Sequence, residues 1–510
     1  MTHPYPPSGL RRLITLFTLA GAFMTQLDAT IANVALPHMQ ASTSASREQI
    51  TWVLTSYIVM AAVFTPLSGW LAQRIGRRRV FLGSVIGFTL ASALCGLAAT
   101  LDQLIAFRLL QGALGSALLP LSQAIMLEIN PPEKHGSALA LWGVGAVIGP
   151  IVGPLTGGWL TEVLNWRWVF LVNLPIGIAT FVGLLATLPQ SSTEGPPRKL
   201  DVFGFAMLAM TIACIQLVLD RGQIKDWFSS TEICVEAVLA ATGLYAYVVH
   251  AMTTREPFVP PVVLRDSNFL VGNVLGFFLG GLMYGVMALV APMLAELMHY
   301  PIKLVGLVTA PRGVGTMITM LTVGRVINRV DPRIMLLAGV AICGWSLWML
   351  DSGTLEMDAT MIIVSGFIQG IGAGLMFVPI SVVVFATLQP QFRNEGAALN
   401  SLIRNMAGSM WIAILQTVTI RSEATMHSRL VEGVRADNPV VAWRYQTLDL
   451  ASPGDLAATA GEISRQALMV AYNNAYWVLL MACLVVLPTV LLVRPAQTPP
   501  GAPPPPPMLD

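Results

Sequence analysis

Apolar residues run through this chain in blocks of about 20, the length that carries a helix across a bilayer. Fourteen blocks stand out, centred on residues 13–36, 51–72, 80–100, 104–126, 136–160, 168–188, 202–220, 232–252, 269–295, 305–327, 334–350, 360–386, 396–420 and 471–492. The polar stretches between them are short, apart from residues 421–469 and the Pro-rich end PAQTPPGAPPPPPMLD. An even number of crossings returns both ends of the chain to one side. With the N-terminus in the cytoplasm, sixteen Lys and Arg fall on the inner side, among them Arg11, Arg12, Arg74, Arg77, Arg78 and Arg79. Only Arg47, Arg167, Arg221, Lys225 and Lys303 fall in the short outer loops. This is the positive-inside bias, and it predicts both termini in the cytoplasm. Arg11 and Arg12 precede a run too long for a signal-peptide core, so the first block reads as an uncleaved span.

The blocks repeat. GWLAQRIGRRRVF from Gly69 follows the second block and GRVINRVDPRIML from Gly324 follows the tenth. Gly69 aligns with Gly324, Gln73 with Asn328, Arg74 with Arg329 and Arg78 with Arg333. Gln111 and Gly112 match Gln369 and Gly370, and GSALAL from Gly136 resembles GAALNS from Gly396. The offsets, about 255 to 260 residues, make blocks 1–6 and 9–14 two copies in one orientation. The expected fold is an all-α polytopic membrane protein of two six-helix bundles, 13–190 and 268–493, with an inserted helix pair at 200–253. Residues 1–12 form a cytoplasmic N-terminus, 421–469 an external segment within the second bundle, and 494–510 a disordered cytoplasmic tail.

One block carries a second pattern. Gly145, Gly149, Gly153 and Gly157 recur every fourth residue, Pro150 and Pro154 follow two of them, and Gly158 ends the run. Four-residue spacing stacks these glycines into one stripe without side chains, where a neighbouring helix can approach closely. In water each Gly would cost a helix about 1 kcal/mol and each Pro about 3. In a bilayer no water competes for the backbone, and such a helix survives and bends. At an offset of 260 the four glycines fall on Asn405, Ser409, Ala413 and Thr417, so close packing is expected to be partly kept in the second half.

Composition agrees with the pattern and removes other classes. The 510 residues are 55% hydrophobic and 11% charged, with net charge +2. A soluble domain carries about 25% charged residues, and a chain this close to neutral offers no nucleic-acid footprint. Cys95, Cys214, Cys234, Cys343 and Cys483 lie in or beside apolar runs without a CxxC pair and read as small buried hydrophobes. None of the four lysines closes a GxxxxGK[ST] loop, and no HExxH or GxSxG occurs. Nothing points to ATP hydrolysis, a metal, a cofactor or a catalytic residue, and the chain is expected not to be an enzyme.

The chemistry that remains is charge inside spans. Asp28, Arg108, Arg312 and Arg404 lie within blocks, where facing lipid would cost each about 2.5–3.5 kcal/mol or more. Asp28, in LDATIANVALP, is the one acid well inside a span. A carboxyl group there can carry a proton, attract a cationic substrate, or be fixed in an ion pair. Arg108, in IAFRLLQG, keeps its charge at any working pH. It can bias the protonation of Asp28 or snorkel to a headgroup, with Gln111 one turn further along its face. Arg312 and Arg404 either line the second half of a cavity or hold helices together. Asn33, Tyr57, Gln123 and Trp142 are further candidates for lining a pocket. The loop carrying Gly69, Gln73, Arg74, Gly76, Arg77 and Arg78 serves topology, or a latch between moving halves, or both.

These motifs resemble the fourteen-helix drug:proton antiporters of the major facilitator superfamily over essentially the whole chain. GWLAQRIGRRRVF is similar to the signature between helices 2 and 3, IAFRLLQG to that of helix 4, and Gly145–Gly158 to the antiporter signature of helix 5. LDATIANVALP resembles the helix 1 signature, and WRWVFLVNLPIG from Trp166 the entry to helix 6. LDRGQIKDWFSS from Leu219 and RSEATMHSRLVEGV from Arg421 resemble EmrB-type inner-membrane pumps. The resemblance implies proton-coupled export of hydrophobic or amphipathic toxic compounds from the bacterial inner membrane. It also implies a periplasmic membrane-fusion adaptor (EmrA-type) and an outer-membrane channel (TolC-type) as partners, with residues 421–469 as one docking surface. Gln73 stands where the signature usually has an acid, which puts the usual charged latch in doubt. A proton-coupled importer of the same fold, and a non-transporting sensor or membrane-embedded enzyme, are the alternatives.

Overall fold

The computed structural model of the protein describes residues 5–189, 199–434 and 452–493. Fourteen long helices account for the fold. They are α1 (Ser8–Thr43), α2 (Arg47–Ile75), α3 (Arg77–Leu97), α4 (Leu101–Glu128), α5 (His135–Val163), α6 (Trp168–Thr187) and α7 (Val202–Arg221). Then come α8 (Thr231–Thr253), α9 (Ser267–Leu297), α10 (Ile302–Val326), α11 (Pro332–Asp351), α12 (Ala359–Ala386), α13 (Arg393–Gly433) and α14 (Pro453–Val490). Thirteen are long and apolar enough to cross a membrane. The exception is α13, which holds Asn400, Arg404, Asn405 and Gln416. It runs against α2, α9 and α14, and of these residues Asn400 is buried, Arg404 and Asn405 are half-buried and Gln416 is exposed.

The two bundles pack alike. In the first, α2 lies along α4 and α1 along α5; in the second, α10 lies along α12 and α9 along α13. The halves meet where α5 crosses α10 and α2 crosses α13. The pair α7 and α8 stands outside both bundles, against α2 and α13. Gln216 of α7 donates to Ser409 of α13 (2.8 Å) and Thr417 to Gln223 (3.2 Å). On the other side Arg221 pairs with Glu48 of α2 and Lys225 with the same carboxylate. The inserted pair is thus tied to both halves.

Of residues 421–469, the stretch 435–451 lies outside the described residues. Residues 421–433 continue α13 and 453–469 open α14. The Pro-rich tail from 494 and the first four residues lie outside the described residues.

The glycines divide their work differently in the two bundles. In the first they lie on α5. In the second, the face of α13 that meets α9 carries Ala407, Gly408, Trp411 and Leu415, and the glycines are on α9 as Gly280, Gly281 and Gly285. Of the expected counterparts, Ser409 turns to α7 and Thr417 to Gln223 just beyond its end. Around Gly281 the helix widens into a π turn, Gly281–Gly285, where an added Cβ would lie 2.7 Å from the Trp411 ring. A second π turn, Met293–Leu297, follows Pro292, whose ring offers no N–H to the α ladder.

Candidate functional site

Two sites share α1, one on each side of it. On the first, Asp28 is fully buried and accepts hydrogen bonds from Arg108 Nη1 (2.6 Å), Gln111 Nε2 (2.9 Å) and Asn173 Nδ2 (3.0 Å). Arg108 is equally buried. Its Nε donates to the Val53 carbonyl (3.0 Å) and its Nη1 also reaches Gln111 Oε1 (2.8 Å). The guanidinium lies 4.2 Å from the Tyr57 ring centre and 5.5 Å from that of Phe170. Asn173 also donates to Ser92 Oγ, which donates to the Phe170 carbonyl. Ion pair, amides and rings come from α1, α2, α3, α4 and α6, so the first bundle closes around this carboxylate. Each partner answers the cost of holding charge away from water. Arg108 reaches inward and does not snorkel to a headgroup.

On the other side α1 meets the glycine stripe. A Cβ on Gly149 would fall 2.7 Å from Gln26 Cβ and 2.8 Å from Leu27 N, and one on Gly157 2.9 Å from the Ile31 carbonyl oxygen. Thr30 Oγ1 fills the space beside Gly153. Backbone thus lies on backbone over Gln26–Ile31, the segment that carries Asp28.

Pro150, Pro154 and Gly158, on the flank of the same stripe, line a cavity of about 600 Å³. Its other walls are Gln26 and Val34 of α1, Met283 to Ala295 of α9, Val305 to Thr316 of α10, Phe377 of α12 and Arg404 of α13. These are the ends of α5, α9 and α10 away from the chain termini. The cavity therefore opens on the far side, between the two bundles.

The near side is shut. A Cβ on Gly69 would touch the Glu395 backbone (3.0 Å), and one on Gly324 the Ser137 Cα (3.2 Å). Gln73 Nε2 donates to the Gln391 carbonyl (3.1 Å), and its repeat counterpart Asn328 donates to the Glu133 carbonyl (2.5 Å). The closure is a neutral pair related by the internal repeat. Around it, Arg77 donates to Asn394 Oδ1 (2.9 Å) and pairs with Glu128, Arg78 donates to the Leu185 carbonyl, and Arg74 lies over Trp70. Gly76 links α2 to α3 at φ 91°, a left-handed value open to glycine.

The cavity candidates part company. Arg312 and Arg404 line it. Tyr57 and Gln111 instead belong to the Asp28 cluster, since they stand on the faces of α2 and α4 that meet α1. Asn33 is exposed and does not line the cavity, one helix step of about 100° away from Val34. Gln123 is buried within α4, away from the lining. Trp142 stands behind the wall, stacked on Phe377 (6.0 Å) and donating to Ser122 Oγ (2.8 Å). Asn173 joins the Asp28 cluster, and Gln26 and Tyr284 line the cavity, beyond the residues the sequence points to; a lone amide in an apolar helix is the one signal for the first two.

Comparison with known proteins places the chain among transporters. The Major Facilitator Superfamily model matches residues 18–412. The chain is 33% identical over 503 residues to the multidrug export protein EmrB of Escherichia coli (strain K12), covering 97% of this chain and 98% of that protein. It is 32% identical over 498 residues to EmrB of Haemophilus influenzae, covering 96% and 98%. Among solved structures, the proton:xylose symporter XylE superposes with a TM-score of 0.58 at 12% identity, over 93% of this chain and 95% of that one, a likeness of fold alone.

Proposed function

The chain belongs to the major facilitator superfamily, and from that premise we propose that it is a proton-driven exporter of hydrophobic and amphipathic toxic compounds, working by alternating access between its two bundles. The observation that carries this is a cavity open to the far side and shut on the near side, next to a buried ion pair. Asp28 is the proton carrier. As a carboxylate it holds Arg108, Gln111 and Asn173 to α1; once protonated it is neutral, and the attraction to Arg108 goes. The change reaches the second bundle through α5, which packs on the other face of α1 and crosses α10.

Substrate and proton do not share a chamber in this arrangement. Coupling passes through α1 itself, between the carboxylate on one face and Gln26 and Val34 on the other. Both termini are cytoplasmic in this reading, so the cavity faces the periplasm. A periplasmic adaptor and an outer-membrane channel would carry the substrate on. Near-full-length likeness to EmrB export proteins supports this reading.

The test is drug export from everted vesicles of a pump-deficient bacterium, driven by an imposed proton gradient. The wild type exports hydrophobic drugs and the Asp28→Asn variant does not. Undiminished proton-driven export by that variant removes Asp28 from the mechanism, and absence of any substrate movement in proteoliposomes removes transport.

A further inference from the structure

The inserted helices α7 and α8 stand at a seam between the bundles. On the near side α2 meets α13 directly, where Gly69 lies against the Glu395 backbone. Toward the far side α7 stands against both helices and is bonded to each. When the two bundles rock, the far ends of α2 and α13 move relative to each other. Packed helices shift between discrete arrangements and do not stretch, so α7 cannot stay bonded to both.

The two sets of bonds differ in kind. Those to α2 involve charge. Asp220 accepts from Thr55 of α2. Arg221 is buried, pairs with Glu48 (3.6 Å) and lies over the Trp52 ring (4.7 Å). Lys225 pairs with the same Glu48, and Glu232 of α8 joins Arg221. Nearer the other end of α7, Phe205 sets its ring edge-on to Phe64 of α2 (6.5 Å). The helix is therefore held to α2 at both ends.

The bonds to α13 are neutral. Gln216 donates to Ser409 (2.8 Å) and Thr417 to Gln223 (3.2 Å). Beside them, Leu402 of α13 shares a small buried cluster with Ile212 of α7 and with Ala62 and Val63 of α2. Charge-assisted bonds are the stronger kind. A neutral bond contributes little net, because its partners bond elsewhere once parted, and apolar contact has no fixed direction. Gln216 and Gln223 follow each other in the same order as Ser409 and Thr417. The two helices thus run parallel, the arrangement in which one slides along the other.

We propose that the inserted pair is a strap fastened to the first bundle, which swings with that bundle while α13 slides past α7. The Gln216–Ser409 and Thr417–Gln223 bonds are made with the far side open and parted when it closes, whereas the bonds of Asp220, Arg221 and Lys225 to α2 persist through the cycle. This rests on the exporter reading for the rocking itself; which bundle carries the pair follows from the chemistry of its contacts.

The experiment joins one contact of each set in the full-length protein, with the five native cysteines replaced. One variant carries Gln216→Cys and Ser409→Cys, the other Glu48→Cys and Lys225→Cys. Proton-driven drug transport is measured before joining by a short reducible linker, after joining and after reduction. Joining the first pair stops transport, and reduction restores it. Joining the second leaves transport as it was. Transport that survives complete joining of the first pair overturns the proposal, and so does transport lost on joining the second. Where a thiol pair by itself removes transport, distances decide. Spin labels are placed two at a time at Leu97→Cys of α3, Val235→Cys of α8 and Trp348→Cys of α11, all exposed positions. They are read in nanodiscs with and without Gln73→Ala and Asn328→Ala, which free the near side. The Leu97–Trp348 and Val235–Trp348 distances change together, and the Leu97–Val235 distance stays. A changing Leu97–Val235 distance overturns the proposal and leaves the exporter reading standing. A Leu97–Trp348 distance that never changes, in a protein that moves no drug, removes the exporter reading and the strap with it.

Discussion

Asp28 and Arg108 are buried without exposed surface, and each depends on the other. Removing one partner of a buried pair leaves the other charge uncompensated, at a cost of about 3–5 kcal/mol. Arg108→Gln is therefore expected to lower the unfolding temperature of the purified protein, and adding Asp28→Asn is expected to recover most of it. Transport is absent in both. A double variant less stable than Arg108→Gln alone would mean that the ion pair is not what holds these helices. The two charges were legible in the sequence because lipid tolerates so few. Asn173 was not. A single amide in an apolar helix has many possible neighbours, and only the packing of α6 on α1 brings it to the carboxylate. The same limit explains Tyr57: an aromatic residue in a span suits a cavity wall as well as it suits a guanidinium, and the rotation of α2 decides.

At the scale of elements, α1 and α5 act as a pair. The four-residue spacing of glycine predicts close approach, and the partner is the stretch of α1 that bears Asp28. Gly149→Leu places its branch where Gln26 and Leu27 already lie, so it forces α1 away from α5. The variant is expected to insert at normal levels and to lose export, measured by membrane abundance and vesicle transport together. Normal export would show that α1 does not need this contact. The second bundle does not copy the device. There the glycines sit on α9 and the large residue, Trp411, on α13. An alignment by offset cannot show this exchange, because it pairs α5 with α13 and is blind to which of two packed helices supplies the small side chains. The π turns of α9 were likewise hidden, since nothing in GLMYG separates a π turn from an α turn before Trp411 is packed against it.

At the scale of the whole molecule, the contacts that hold the near side include Gln73 on Gln391, Asn328 on Glu133 and Arg77 on Asn394. If alternating access is right, these contacts open in every cycle. Thiols introduced as Asn328→Cys and Glu133→Cys, with the five native cysteines replaced, are expected to join under a short cross-linker. The joined protein stops transporting, and a reducible linker restores transport on reduction. Transport that survives quantitative cross-linking would mean that this side does not open. Gln73 gives the near side a neutral hydrogen bond, with no charge to lose.

The chain alone determined that it crosses a membrane many times, where most crossings lie, that its two halves are copies, and which charges sit where charge is costly. These follow from local properties: the length of an apolar run, the sign of a loop, the price of a charge in lipid. Tertiary structure alone decided which side is open, that Asp28 and the cavity lie on opposite faces of α1, and that Arg312 and Arg404 face the cavity while Tyr57, Gln111 and Asn33 do not. Those depend on how each helix is rotated and which neighbour it meets. Such contacts join residues far apart in sequence, and an apolar block in a bilayer carries little signal of its own orientation.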